Sequence, residues 1–358
     1  MAAGTIHSLF PMTEAKKQNY HVPEECAGWT LAALLRRVRP ELSWSQVRRL
    51  IHHRYVQVNG NLCTDDARRL KAGDVVAVWQ EPLARPIRPE DILIVYQDRH
   101  LVVVDKPAGL TTLRHPEERH WPRRRRQLQP TLDEMLLEIL QEQGATAGTV
   151  RPTSRRKASE AQNQHRRRWL RRLYPVHRLD RDTSGLMLLA LSPEAYEKLV
   201  PMFRKHQIHR VYLALVLGRV EEQTLESYLV RDRGDGLRGS TQEPGKGKRA
   251  VTHVRPVEYL PGYTLLECRL ETGRTHQIRI HLSEAGHMVC GEKIYTHPLG
   301  GKPTPDPSGA RRHMLHAAQL GFRHPITGQE LVFESPMPAD MRRLIEKLRH
   351  QPPQTPPT

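Results

Sequence analysis

The sequence predicts an α+β protein in two unequal parts. Three observations carry this. Residues Tyr174 to Pro338 are rich in β-branched and apolar runs bounded by turn residues, with little helical periodicity among them. A compact helix–helix–strand pattern lies between Trp29 and Trp79. The three-proline stretch Glu81 to Asp91 separates the two and reads as a linker. The 358 residues suffice for one large and one small domain.

Residues 1–28 read as an irregular lead-in. They lack a charged start followed by an apolar core, so no signal peptide is expected. Leu31, Leu34, Leu35 and Val38 then fall at helical spacing behind Thr30, a candidate N-cap. Ser43 and Gln46 form a capping-box pattern ahead of Val47, Leu50 and Ile51. Tyr55, Val56 and Val58 lead into Asn59-Gly60, a tight-turn signal, and "GDVVAVW" closes the module as a strand. Arg36, Arg37, Arg39, Arg48, Arg49 and Arg54 crowd its two helices, interrupted only by Glu41. A solvated helix face is the ordinary meaning of such a run, but a phosphate-facing surface fits six arginines better.

Beyond the linker, "ILIVYQDRHLVVVDKPAGL" gives two β-branched runs around Asp98 to His100, a hairpin. Residues 114–173 carry 15 Lys/Arg against 7 Asp/Glu, a net +8 of the chain's +17. One helix is expected inside this basic insertion, capped by Thr131 with Leu132, Met135, Leu136, Ile139 and Leu140 on one face. Its flanks are either sequence-independent RNA contacts or a solvated loop. Ser192-Pro193 opens another helix, and "HRVYLALVLG", "AVTHVRPVEYL" and "YTLLECRLETG" read as strands. The tail "QPPQTPPT" is expected to be disordered.

A pI near 10.1 points to a polyanionic partner, with nucleic acid first. The apolar share, 38%, is low for one compact globule and leaves room for solvated linker or tail. Cys26, Cys63, Cys268 and Cys290 are dispersed, with no Cys-x-x-Cys, so neither a zinc site nor a disulfide framework is suggested. Four free thiols suit a reducing compartment, and no apolar run approaches the roughly 18–20 residues of a membrane span. A cytoplasmic location is expected.

The chemistry concentrates in "PVHRLDRDTSGLMLLAL", Pro175 to Leu191. Its carboxylates have three readings. They are structural, pairing with Arg178 and Arg181 ahead of an ordinary turn at Asp182 to Gly185. They are an Asp-x-Asp phosphoryl-transfer pair, which would put the apolar strand before them rather than after, and no metal-binding partners follow. Or one aspartate is a nucleophile kept ionised and oriented by a guanidinium. A second stretch, "LETGRTHQIRIHLSEAG" from Leu270 to Gly286, supports the third. Gly273 permits a tight turn from which Arg274 projects. Thr275 as a cap, the spacing of Ile278, Leu282 and Ala285, and a terminal Gly286 favour a helix there over a strand.

With "DKPAGL" at Asp105 to Leu110, "HRLDRDTSGLMLLAL", "HRVYLALV" at His209 to Val216 and "LETGRTHQIRIHL", the chain resembles the RluA-type RNA pseudouridine synthases. "LHAAQLGFRHPITGQELVFESPMP" looks like that family's closing strands. The resemblance covers about residues 92–345, and the Trp29–Trp79 module resembles the S4 RNA-binding domain. It implies a mixed, mainly antiparallel catalytic sheet behind a small S4-like α/β module. It implies isomerisation of uridine: the N1–C1′ bond breaks, the base turns, and C5 joins C1′. No net redox change or hydrolysis occurs, so no cofactor and no metal are expected.

On the same resemblance Asp180 is the catalytic aspartate. It attacks C1′, adds to C6 or helps form a glycal, the route we favour. Arg274 is expected to pair with Asp180 and hold it ionised. Tyr212 stacks on the base and assists proton removal from C5; without the surrounding match it would read as a core tyrosine. Arg178 takes the place of the flipped uridine or contacts its phosphate. His177, Thr183, His276, Gln277 and Arg279 are expected around the substrate, His177 and Thr183 with Ser184 more as scaffold than as chemistry, and Asp182 as structure. Arg36, Arg48, Arg49 and Arg54 would carry the module's RNA contacts. Arg210 stands where many relatives have lysine. The expected partner is RNA, large-subunit ribosomal RNA first and transfer RNA second, with no membrane and the chain a monomer. A non-catalytic RNA-binding or ribosome-assembly factor would be expected to have lost Asp180, Tyr212 or Arg274; all three are present. A metal-dependent nuclease or phosphatase would be chelator-sensitive.

Overall fold

The computed structural model describes residues 17–351, apart from residues 60, 81, 84–86, 119, 121–125, 127–128, 147–171, 235, 242 and 244. The chain divides into two compact units, Met1–Pro86 with His115–Pro130, and Ile87–Arg114 with Thr131–Thr358. The basic runs expected at 123–126, 155–157 and 166–168, apart from Arg126, and the C-terminal tail lie outside the described residues.

The first unit pairs helices α1 (Leu31–Val38) and α2 (Trp44–His52) with strands β1 (Lys17–His21), β2 (Val56–Val58), β3 (Asn61–Leu62) and β4 (Val75–Trp79). Both expected caps are present. Thr30 Oγ1 accepts from Ala33 N, and Ser43 and Gln46 close a reciprocal capping box. Each helix then buries its periodic face, Leu34, Leu35, Val47, Leu50 and Ile51, against Val56, Val58, Val76 and Val78. The lead-in is not wholly irregular. Lys17–His21 forms a strand antiparallel to β4, with Lys17 opposite Trp79 and His21 opposite Val75.

The second unit is built on an eleven-stranded sheet among its described residues. Its strands are β5 (Leu93–Gln97), β6 (Leu101–Lys106), β7 (Tyr174–Pro175), β8 (Ser184–Ala190), β9 (His209–Leu217), β10 (Gln223–Val230), β11 (Gly239–Thr241), β12 (Lys248–Leu260), β13 (Tyr263–Leu270), β14 (Leu315–Arg323) and β15 (Glu330–Glu334). The order is β11-β10-β12-β13-β9-β14-β8-β6-β5, with β15 beside β14 and β7 beside β8. Every pairing between these strands among the described residues is antiparallel except β14 with β8, which is parallel at His316↔Ser184 and Ala317↔Gly185. The sheet is therefore mixed and mainly antiparallel.

Alternation sends side chains to two covered faces. Val102, Val104, Met187, Leu189, Ala214 and Leu266 pack with helix α3 (Leu132–Thr146) and with Ile278 and Leu282 of α5 (Gln277–Glu284). Leu101, Val103, Leu186, Leu188 and Ala190 face the other way, onto Ala195 and Leu199 of α4 (Pro193–Arg204). Leu215 and Leu265 meet Met341, Leu344 and Leu348 of α6 (Ala339–Arg349). Because β8 is covered on both sides, all seven of its residues are buried. Its apolar sequence is the signature of that double cover.

Candidate active site

Asp180 occupies a short turn just before β8, where Thr183 N donates to its carbonyl. The turn is fastened from beneath by Lys106, at the end of β6. This lysine is fully buried, and its Nζ donates to the carbonyls of Pro107 (2.9 Å), Leu110 (2.9 Å) and Arg181 (3.1 Å). Burial pulls its pKa down to about 7, yet three acceptors match the three N–H groups of the ammonium form. Gly185 supplies the clearance the turn needs. Its φ is +110°, and a Cβ there would sit 2.2 Å from the carbonyl oxygen of Ala317 on the parallel neighbour.

The Asp180 carboxylate is largely enclosed, at 16% side-chain exposure, and its Oδ2 accepts from Arg279 Nη1 at 2.9 Å. Arg279 lies in α5 and is itself buried. Its remaining edge grips Glu292, Nε to Oε2 at 2.6 Å and Nη2 to Oε1 at 2.7 Å. Glu292 Oε1 also accepts the backbone N–H groups of Lys293 and Ile294, both at 2.9 Å. One planar guanidinium thus bridges two carboxylates, a geometry lysine cannot supply.

These contacts set the charges. Burial alone would raise the Asp180 pKa, but the charges of His276, Arg279 and His313 and the Arg279 hydrogen bond hold it below the usual aspartate value. Burial keeps His276 below its own usual pKa and takes His313 to about 4, so at neutral pH Arg279 is the cation that matters. Burial likewise opposes ionisation of Glu292, and the hydrogen bonds and charge of Arg279 bring it down to about 2. His276 stands at 3.5 Å from Asp180 Oδ1 through Nε2, and its Nδ1 is 2.6 Å from the Tyr295 hydroxyl. Tyr212, on β9, is buried, and its hydroxyl is kept protonated first by burial, with Asp180 adding to the effect and Arg210 opposing it.

An enclosed, arginine-braced carboxylate within electrostatic reach of a buried tyrosine is chemically able to act as a nucleophile. Residues 100–284 match the family model described as RNA pseudouridylate synthase. The chain belongs to that family. Residues 29–76 match the S4 domain model, so the first unit contains an S4 domain. The chain is 35% identical over 332 residues to "Ribosomal large subunit pseudouridine synthase D" of Zymomonas mobilis, covering 91% of this chain and 95% of that protein. It is 35% identical to "Uncharacterized RNA pseudouridine synthase YlyB" of Bacillus subtilis, covering 86% and 91%. It is 33% identical to the Nitrosomonas europaea protein named as the first is, covering 92% and 88%. Among solved structures, "Human RNA Pseudouridylate Synthase Domain Containing 4" aligns with a TM-score of 0.52 at 20% identity, over 73% of this chain and 95% of that one; this likeness concerns the fold.

Several expected positions differ in this pseudouridine synthase. Arg274 does not meet Asp180. Its Nε donates to the carbonyl of Arg249 at 3.2 Å, and the side chain is exposed. The turn rotates Arg274 outward, while the helix that follows carries Arg279 inward. Thr275 is not the helix cap. His276 is, in the left-handed conformation (φ 60°), and Gln277 Oε1 accepts from Arg274 N at 3.0 Å in place of a threonine hydroxyl. Gly273 is needed for a close approach rather than for an unusual φ, since a Cβ would lie 2.5 Å from Arg210 Nη1.

Gln277 is buried, donating to Val251 O and Thr252 Oγ1, and so clamps the turn to β12. His177 stacks on Phe203 with ring centroids 4.7 Å apart, and its Nε2 accepts from Leu188 N; burial drives its pKa to about 3. Thr183 is buried against His313, and Ser184 against His316. All three side chains are engaged by contacts within the fold. Arg178 is exposed and has no hydrogen-bond or ion-pair partner among the described residues. In the S4 domain Arg48 is exposed, 3.4 Å from Asp66, and Arg49 is exposed; Arg36 is half-buried and donates to Pro40 O. Arg54 is buried in a left-handed turn after α2, and Arg39 is buried against Glu41, so neither presents a surface cation.

Glu292 and Lys106 were missed in the sequence. An arginine between Ile278 and Ile280 in an apolar helix was the available signal for the first, since a buried guanidinium demands carboxylates. Lys106 sits in "DKPAGL", whose apolar flanks hint at burial without naming its acceptors.

Proposed function

We propose that this pseudouridine synthase isomerises uridines of large-subunit ribosomal RNA, with Asp180 as the nucleophile acting on a uridine flipped out of its helix or loop. The observation that carries the reading is the Asp180–Arg279 pair. A largely enclosed carboxylate is braced through one oxygen, Oδ2, while Oδ1 makes only the longer 3.5 Å approach to His276 Nε2 among the described residues and is the oxygen offered to the substrate. That oxygen serves attack at C1′, addition at C6 or stabilisation of a developing oxocarbenium on the glycal route, and all three need a charged carboxylate. Tyr212 would lie against the detached uracil, which must turn before C5 meets C1′. Arg178, exposed and unpartnered among the described residues, would fill the space the base vacates and offset part of the few kcal/mol of extrusion. The choice of ribosomal RNA rests on the names of the relatives and on the S4 domain.

Asp180→Asn keeps size and hydrogen-bonding capacity but removes the nucleophile. Pseudouridine formation is expected to fall by about 10⁴-fold or more, with RNA affinity unchanged. Full activity in this variant would overturn the assignment. Mapping pseudouridines in ribosomal and transfer RNA from cells with and without the gene decides the substrate; loss confined to transfer RNA would refute the ribosomal reading.

A further inference from the structure

Beside the Gly273–Arg274 turn that leads into α5 lies a cavity of about 560 Å³ whose lining includes Arg231, Arg238, Lys248 and Arg274. No carboxylate among the described residues pairs with any of these four cations. By contrast, Arg249, one residue along from Lys248, is paired with Glu226 and Glu271. Cations left unneutralised around a concavity favour an anion there. A second observation points the same way. Arg210, whose Nη1 a Cβ on Gly273 would meet at 2.5 Å, is buried with its guanidinium over the Phe203 ring, and its Nε has no hydrogen-bond partner among the described residues. A buried guanidinium without a carboxylate is costly unless a ligand supplies the charge. The cavity also adjoins the chemistry, since Arg238 is near enough to act electrostatically on His276 and Tyr295.

We propose that this cavity binds RNA backbone phosphates next to the target uridine, with Arg231, Arg238, Lys248 and Arg274 as the phosphate-contacting residues. The proposal rests on the reading of the chain as an enzyme acting on RNA. It gives Arg274 a positioning role at the substrate backbone in place of a partnership with Asp180. A phosphate held here would anchor the strand while the neighbouring base swings toward Asp180.

The test uses the full chain carrying Arg231→Gln, Arg238→Gln and Lys248→Gln together. Two substrates are measured, a large-subunit ribosomal RNA transcript for kinetics and a fluorescein-labelled oligouridine for binding. KM for the transcript and Kd for the oligouridine are expected to rise about tenfold. The slope of log affinity against log salt should fall by about 2, at roughly 0.7 for each single-strand phosphate contact. kcat at saturation should stay within about threefold, because only ground-state binding is removed. The charge-keeping variant Arg231→Lys, Arg238→Lys, Lys248→Arg should restore the slope. If the triple glutamine variant does not fold, each single variant carries the same test, with a slope change of about 0.7. Unchanged KM and slope would overturn the proposal, as would equal weakening in the charge-keeping variant. A wild-type enzyme inactive on the transcript would refute the ribosomal substrate instead, and oligouridine binding then decides the cavity alone.

Discussion

Two arginines five positions apart do opposite things. Arg279, in α5, is buried and spends its guanidinium on Asp180 and Glu292. Arg274, in the turn before that helix, is exposed and held by one backbone carbonyl. The same chemical group becomes a buried brace between two carboxylates in one place and an exposed surface charge in the other. What separates them is the helix start. His276 turns the chain through a left-handed residue, and from there the 3.6-residue period decides which side chains face the sheet. Burial then decides energy. A guanidinium between two carboxylates in a water-poor site is strongly coupled to both, whereas an exposed one is screened.

The largest effect expected from breaking this contrast is at Arg279. Arg279→Gln leaves Glu292 buried without its cation, which should cost about 3 to 5 kcal/mol of stability by urea unfolding. It should also lower kcat by roughly 100- to 1,000-fold. Arg279→Lys keeps the charge but not the fork, and should recover part of each. The pH profile isolates the catalytic share. In the wild type, Asp180 is held below the usual aspartate pKa, so the acid limb of kcat/KM should lie below that range. Removing Arg279 takes away two of the lowering interactions, its charge and its hydrogen bond, while the desolvation that raises the pKa remains, so the limb should move to higher pH. A limb that stays in place would show that Arg279 does not govern Asp180.

Glu292→Gln comes next. It preserves shape, and Gln Oε1 can still accept the N–H groups of Lys293 and Ile294, but the charge that fixes Arg279 is gone. A guanidinium free to tilt should cost up to about 100-fold in kcat through misplacement of Asp180, with little change in KM. There is also a stability signature. The folded pKa of Glu292, about 2, lies below its unfolded value, so its contribution is present above the unfolded pKa and lost as pH falls through about 2. In Glu292→Gln that part of the acid dependence should vanish from unfolding curves measured between pH 5 and 2. Identical curves for the two proteins would remove Glu292 from the account.

The sequence made local structure legible wherever the code is local. Thr30, Ser43 with Gln46 and Ser192 each cap the helix they were read to start. The apolar run after Asp180 is the doubly covered strand β8. What stayed hidden is non-local or depends on the direction of a side chain. Lys17–His21 lacks apolar alternation because it is a largely exposed edge strand, and only its pairing with β4 makes it one. The parallel contact of β14 with β8 joins residues 132 positions apart, Ser184 and His316, and Gly185 has no visible reason until Ala317 arrives. The same holds at the site. Asp180 and Tyr212 were singled out through their motifs, but choosing between Arg274 and Arg279 as the partner of Asp180 required knowing where the helix begins to within a residue or two, the least certain feature of any helix read from sequence.

The smallest effect in this series is the most discriminating. Arg274→Gln removes the cation that the motif first suggested as the partner of Asp180. With Arg279 already occupying that oxygen, kcat should change by no more than about threefold, the scale of a surface substitution. The acid limb of kcat/KM should not move, because no lowering interaction on Asp180 is lost. Stability should be nearly unchanged, since among the described residues the side-chain hydrogen bond given up is one from an exposed group to Arg249 O. What should change is KM, with a shallower salt dependence, through loss of one phosphate contact. A collapse of kcat together with a shifted acid limb would return Arg274 to the carboxylate. It would mean that RNA binding rebuilds this turn and exchanges the two arginines.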